Sequence, residues 1–536
     1  MDAQNPQDQP KGPPRLPLFS MPSNRIDDPT TDARLINGYV EKTKEGDLHV
    51  YKRGGLSVVT TLSGAGRGVY NWKGNIYAIF GTTLYKDGVS KGTVDGTAGV
   101  YTFSSGLGTV PKLFFHNGVK GYTYDDAGGL VAEVVTATIV TTGNTHTTAI
   151  IDAIPSTAGI NTNTGVTGSG VVAGSYVISV DSGVQVTLNT ATTSTLTGTA
   201  LTFVTSGFQP SLVKGQAYLD GTTYVMTSGA RIYGSELNDP VTWDALNFLT
   251  AQIEPDGGVF LAKQLAFVVA FKQWSTEFFY DAGNAVGSPL GPVQGAKINN
   301  GCRNAGTVQD AGGVLIWVSE TREGAVGVHR LEGIKIQPIG TPAVERLLQN
   351  ADASTIWSWS FKHGGHRFYG VTFKEDNITL VYDLSTDLWS QWTDTNGNYF
   401  PFVAATYTTN QDVLLQHETD GKLYKIDLNT YTDDGALISW ELYTPNFDGG
   451  TRKKKTLFRI DIIADQAPGS ILEFRKNDED YKADKWSNFR SLDLSKIRPN
   501  ASNLGTFRKR AMHFRHRCNS PLRLQYIELQ IEAGDL

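Results

Sequence analysis

From residue 50 onward the chain repeats one pattern of apolar and polar positions. A short apolar run is followed by a Gly or Asp turn, a second short run and a polar loop. GVYNWKGNIYAIFGTTLYKDG (68–88) shows it first. KLFFHNGVKGYTYDDAGGL (112–130), GQAYLDGTTYVMTSGARIYGSEL (215–237) and QLAFVVAFKQWSTEFFYDAG (264–283) repeat it. GGVLIWVSETREGAVGVHRLEG (312–333), the long copy at 364–394 and FVAATYTTNQDVLLQHETDGKLYKIDL (402–428) complete the series. Alternating stretches such as ITLVYD predict half-buried strands, and unbroken runs such as LAFVVAF predict strands covered on both faces. Outside one interruption the copies recur about every 40–50 residues, the length of a four-stranded propeller blade. A blade cannot bury both faces alone, so the ring must close on itself. The pattern therefore predicts an all-β chain, with a β-propeller of six or seven blades over 31–133 and 207–440.

The interruption, 134–206, is rich in Thr, Val, Gly, Ala and Ser and almost free of charge. Its short apolar runs, bounded by Gly and Asn, predict a small inserted β-sandwich-like module. Such a module serves either as a projecting spacer or as a surface-binding element. Residues 1–30 hold Pro6, Pro10, Pro13, Pro14, Pro17 and Pro22, which exclude regular helix or central strand. This stretch reads as a disordered tail, or as an extended arm ordering against a neighbouring subunit through Leu16, Leu18, Phe19 and Met21. The one helical segment is GTPAVERLLQ (340–349). After about 440 charge rises, and TLFRIDIIAD (456–465), SILEFRKND (470–478), RKRAMHFRHRC (508–518) and PLRLQYIELQIE (521–532) predict a separate C-terminal β domain, 441–536. In the last strand Leu522, Leu524 and Tyr526 share one face, then Ile527, Leu529 and Ile531 take over. That slip predicts a bulge at Tyr526–Ile527.

A net charge of −6 and a pI near 5.9 disfavour a general nucleic-acid coat, which neutralises many phosphates. Cys302 and Cys518 are too few for a disulfide framework and read as free, buried thiols. The N-terminus lacks the apolar core of a signal peptide, and no run of about 18 apolar residues occurs. These features predict a soluble protein made in a reducing compartment, with no membrane insertion.

Candidate chemistry is sparse. RIYGSELNDPVTWDALNF (231–248) invites a glycosidase reading, but the Gly that an Asp-box turn requires is missing and Pro240 stands near its place. Asp239-Pro240 then starts a turn. Trp243, with Trp274, Trp317, Trp389 and Trp392, is expected to plug space between blades as structural core. His513, His516 and Cys518 sit among Arg508, Lys509, Arg510, Arg515 and Arg517, and this cationic setting opposes a divalent metal. His363 and His366 flank a Gly364-Gly365 turn. No nucleotide-binding glycine loop, nucleophile elbow or catalytic triad is found, so no catalytic residue, metal or cofactor is assigned. The distinctive signal is basic: Arg452, Lys453, Lys454 and Lys455, then Arg508, Lys509, Arg510, Arg515 and Arg517, in one domain of an acidic chain. Three readings stand for it. These are contact with DNA phosphates, docking to an acidic subunit or adaptor ring, and a solvated strand face with Arg stems packed beside aromatics.

The order of several segments resembles the packaged-DNA stabilisation, or tail hub and nozzle, proteins of short-tailed bacteriophages. The segments are RLINGYVEK, VYKRGGL, RGVYNWKGNIYAIFGTTLYKDG, RIYGSELNDPVTWDALNFLTAQIEPDG, FFYDAG, INNGCRNAGTVQDAGGVLIWVSE, GTPAVERLLQ, LVYDLSTDLWSQW and FRKRAMHFRHRCNSPLRLQYIEL. The resemblance spans most of the chain except 134–206. It implies a structural virion tail protein, not an enzyme. Such a protein forms a ring, commonly a hexamer, below the portal and its adaptor ring. It passes and retains double-stranded DNA and carries tail fibres, spikes or a plug, and it assembles in the host cytoplasm. The rival readings are a carbohydrate-binding or depolymerising propeller, which needs acids flanking a cleft, and a cellular propeller scaffold.

Overall fold

The computed structural model describes residues 14–18, 33–132, 138–161, 164–204, 208–209, 211–284 and 287–534. The architecture is all-β, with one α-helix, Pro342–Asn350, among the described residues. Thr341 caps that helix and Pro342 opens it. No helix there is long and apolar enough to cross a membrane.

Seven antiparallel four-strand units succeed one another among the described residues, at 66–93, 102–132, 217–250, 258–292, 309–338, 356–391 and 402–427. Turn chemistry makes the hairpins. Lys73-Gly74 and Asp220-Gly221 adopt positive φ (+53° and +83°, +47° and +92°), the geometry of two-residue loops that match strand twist. The last unit supplies only three of its own strands. Gly55–Thr61, from the start of the chain, is the fourth and pairs antiparallel with Lys422–Asp427.

Each junction between neighbouring units holds its own apolar cluster, including the one joining Leu414 and Leu423 of the last unit to Val69, Ala78 and Phe80 of the first. The ring is thereby closed twice over, by strand pairing and by packing. Trp243, Trp317, Trp389 and Trp392 lie buried at these junctions. Each removes roughly 200 Å² from water, about 5 kcal/mol as an upper bound. Trp274 does not. It sits in a tight turn, 39% exposed, because Asp256 accepts hydrogen bonds from its N–H (2.8 Å) and from that of Ser275 (3.0 Å), fixing the turn with the indole outward. Its expected core role falls to Trp359 and Trp440, both fully buried. Trp359 lies so close to Gly370 that a Cβ there would stand 2.2 Å from the indole.

The inserted segment forms one six-stranded sheet over 138–204, curled until Gly165 and Tyr176 bridge its two ends. Ile151, Ile154, Val166, Val177, Val186, Leu201 and Phe203 fill its interior.

The C-terminal region is two facing sheets around a core that includes Trp440, Ile460, Phe474, Phe514, Leu524 and Leu529. One sheet continues the 356–391 unit through Arg34–Ile36, Trp440–Tyr443, Ala511–His516 and Ile471–Asn477. The other contains Gly38–Lys42, Leu48–Lys52, Arg523–Ala533 and Lys455–Ala464. Residues 34–52 therefore fold with the chain's end, whereas the sequence pattern placed them in the propeller. Alternation marks a strand but does not name its partner. The arm at 14–18 also docks here. Leu16 N–H donates to Ile527 O (2.9 Å), and Leu16 and Leu18 are buried in this chain's own core. Phe19 and Met21 lie outside the described residues. The expected bulge sits one residue earlier. Ile463 pairs with Tyr526 and Ala464 with Leu524, leaving Gln525 extra, so Leu522, Leu524, Ile527 and Leu529 all point inward.

Candidate functional site

The first strand of each unit faces the centre of the ring and ends its sheet, except in the 258–292 unit, where Lys214–Gly215 pairs parallel outside it, and there the strands enclose a cavity of about 1500 Å³. The wall carries five cationic side chains, Arg67, Lys214, Lys263, Lys362 and Arg367, against the two carboxylates Asp310 and Glu418. That balance is +3 in a chain whose total is −6. Both carboxylates are engaged. Glu418 pairs with Lys374 at 2.5 Å and accepts from Tyr399 Oη at 2.7 Å, and Asp310 accepts from Gly313 N–H at 2.6 Å. Lys214, Lys263 and Lys362 have no side-chain partner among the described residues. Burial holds the Lys214 ammonium below its ordinary range. Arg67 donates to Ala98 O, while its buried Nε has no acceptor among the described residues. Gln216 Oε1, also on the wall, is a buried acceptor without a donor among the described residues. The sequence held a sign of this lining, one cation on several first strands, but only the fold shows that first strands share an axis.

The nine candidate contact residues in the C-terminal domain divide by burial. Lys455 and Arg510 are buried. Lys455 donates to Thr451 O and Lys453 O (2.7 and 2.8 Å), and Arg510 binds Asp478 through two hydrogen bonds (2.6 and 2.8 Å) above the Phe507 ring. Arg515 pairs with Glu473 at 2.8 Å and lies 3.9 Å from the Phe489 ring centroid. These three hold the domain together, so their expected role in outside contact is corrected. Arg452, Lys453, Lys454 and Arg508 stay exposed, gathered by a bond from Arg508 to Arg452 O (2.9 Å), and Lys509 lies beside them with Asp480 at 3.2 Å. Arg517 is exposed elsewhere, against Ser439.

The remaining candidates are structural. Ser235 Oγ accepts from Thr223 N–H (3.0 Å) and Asp239 from Val241 N–H (3.0 Å), while Trp243 donates to Pro240 O (2.9 Å) between Phe114 and Phe208. His363 and His366 face each other across a Gly364-Gly365 turn. His513 and His516 diverge. His513 meets Glu441 (2.9 Å), whose carboxyl is held down to about 2 although burial opposes this. His516 meets Ser470 (2.7 Å) and Lys52 (3.4 Å). Burial depresses His516 to about 3 and Lys52 to about 7. Among the described residues no three His, Cys, Asp or Glu side chains are grouped to hold a metal. Both cysteines are free, Cys302 buried and pushed up to about 12, Cys518 only half-buried.

None of the curated proteins matches the chain. Among solved structures, the designed protein Ika8 aligns at 12% identity over 69% of this chain and 99% of its own, with a TM-score of 0.32. BamB from Moraxella catarrhalis aligns at 11% over 70% and 97%, with a TM-score of 0.33. The extracellular domain of the putative hybrid two component system BT4673 from B. thetaiotaomicron aligns at 8% over 82% and 43%, also at 0.33. Likenesses of that strength bear no functional weight. The family model described as "Bacteriophage P22 Gp10, beta-propeller" matches residues 112–431, more than half of the chain, and the chain belongs to that family.

Proposed function

We propose that this member of the phage Gp10 β-propeller family is a tail nozzle or hub, a ring-forming conduit and closure for double-stranded DNA below the portal adaptor, to which fibres, spikes or a plug attach. Membership makes the chain a phage structural protein. The observation that carries the finer reading is mechanical. The propeller is locked by Gly55–Thr61, and residues 14–18 and 34–52 are built with 440–533 into one sandwich whose sheet continues the 356–391 unit. A body with no loose seam suits a part that must hold against internal pressure. The exposed basic edge at Arg452, Lys453, Lys454, Arg508 and Lys509 supports a contact with an acidic neighbouring ring, which would add orientation and speed of assembly more than affinity. Repetition around an axis multiplies modest contacts.

Native mass spectrometry and negative-stain imaging, alone and with the adaptor ring, test this reading. A closed ring is expected, and Arg452, Lys453, Lys454 and Arg508→Gln should weaken it most at low salt. A monomer near 58 kDa under every condition overturns the reading.

A further inference from the structure

We propose that the axial cavity binds an acidic, extended polypeptide segment of a partner protein. Two electrostatic features of the wall point there. Its charge is opposite to that of the chain as a whole, and Lys214, Lys263 and Lys362 have no internal partner among the described residues. Lys214 is partly desolvated, and like-charged cations left without counter-charges around one cavity favour an anionic guest.

The bore then limits the guest. The longest lining strand, Ile356–His363, has 8 residues and spans about 26 Å at roughly 3.3 Å per residue. Spread over that length, 1500 Å³ of room for the centre of a water-sized sphere gives a column about 9 Å across, or roughly 12 Å between the atomic walls. A DNA duplex, whose two grooves are together about 16 Å deep, is wider than that and cannot enter. An extended chain of about eight residues fits.

The polar groups choose among slender anions. Ile356–His363 pairs on one side only, with His366–Phe373; on its other edge, toward the axis, Ser358 O accepts from Gln309 (2.9 Å) and Lys362 N–H donates to Tyr407 Oη (2.5 Å), and the rest of that edge has no strand partner among the described residues. A free strand edge is complemented by another polypeptide backbone. Gln216 Oε1 also requires a donor. A peptide brings N–H donors and carboxylates together, whereas a phosphate chain brings acceptors alone.

The test is fluorescence anisotropy of a labelled decaglutamate peptide on the full chain at 50 mM salt. Saturable binding is expected, at least tenfold weaker in the Lys214→Gln, Lys263→Gln double variant. The exposed Lys263→Gln, Lys362→Gln pair should weaken it similarly with an unchanged melting curve, which separates binding from folding. Arg452→Gln, Lys453→Gln should leave it unaltered. Absence of binding, equal loss in the edge variant, or displacement by tripolyphosphate at equal charge concentration as effective as that by unlabelled peptide would overturn the proposal. None of these outcomes depends on whether the chain forms a ring.

Discussion

Replacing Lys272 by Met should destabilise the propeller by about 3–5 kcal/mol. The Lys272 side chain is wholly buried and its ammonium lies 2.8 Å from Asp256 and 2.8 Å from Glu277, both nearly inaccessible, and 2.6 Å from Glu254 O. The Coulomb attraction of each contact is about 6 kcal/mol at an effective dielectric near 20, but desolvation of three charges offsets most of it. Removing the ammonium leaves that desolvation in place and sets two carboxylates facing each other. Breaking a buried pair from one side typically costs 3–5 kcal/mol. For a cooperative unit of about 300 residues, with an unfolding entropy near 0.6 kcal/mol/K, this lowers the melting temperature by roughly 5–8 °C. The assay is calorimetry with urea denaturation at pH 7 and pH 4. Burial pushes the Asp256 carboxyl up, but Lys272, the Trp274 N–H and Ser275 together hold it below its ordinary value. The parent therefore gains stability above the unfolded carboxylate range and loses it as pH falls, so the gap to the variant narrows at pH 4. The double variant Lys272→Met, Glu277→Leu should recover part of the loss, because Asp256 keeps its bonds from Trp274 and Ser275 while the Ile253 and Glu254 N–H groups lose Glu277 as acceptor. A single-variant cost under about 1 kcal/mol, or a double variant as unstable as the single, refutes the reasoning.

Two further outcomes follow from buried groups. Burial depresses His116 to about 4 and His516 to about 3, so the unfolded chain takes up protons first as pH falls below about 6.5. Stability should then fall by about 1.4 kcal/mol per pH unit for each, roughly 4 kcal/mol together by pH 5, and His116→Gln should remove about half of that slope in urea titrations. Arg53 joins Asp433 (2.5 and 2.9 Å), Asn37 Oδ1 (3.0 Å) and Thr393 O (3.1 Å) where the chain enters the closing strand. Arg53→Met should cost about 3 kcal/mol and speed proteolysis between 428 and 438, and an unchanged cleavage rate would show that the latch lies elsewhere.

The repeat of short strands was legible because period-two alternation and the Lys-Gly and Asp-Gly turns act within ten residues of each other. The helix at Pro342–Asn350 was legible for the same reason, its cap and Pro being local. What the sequence hid were pairings across hundreds of residues. Nothing in LHVYK says that it belongs beside 523–533, and nothing in GGLSVVTT says that it completes 402–427. Charge was misleading in proportion to burial. Arg510 and Lys455 sit in the same basic runs as exposed Arg452 and Arg508, and only Asp478 and Phe507, brought in by the fold, separate them. Trp274 shows the converse, a large apolar residue turned outward because a backbone need, satisfied by Asp256, outranks the roughly 5 kcal/mol its burial could supply.

The closure by distant segments has a mechanical consequence. A ring of like units held only by neighbour contacts can open at any junction, since each junction has its own cluster. Here the junction between the first and last units is reinforced by Gly55–Thr61, and that strand is anchored by Arg53 to Asp433 and Thr393. Opening there requires the sandwich to release residues 34–52 as well, because Leu48–Lys52 pairs with Arg523–Ala533 on one side and Gly38–Lys42 on the other. The weakest seam is thereby moved away from the chain ends to junctions without a covalent break, where an opening must strain an unbroken backbone. A Cys pair joining Gly55–Thr61 to Lys422–Asp427 should therefore add little stability, whereas deletion of residues 1–54 should lower it by far more than the contacts of one strand.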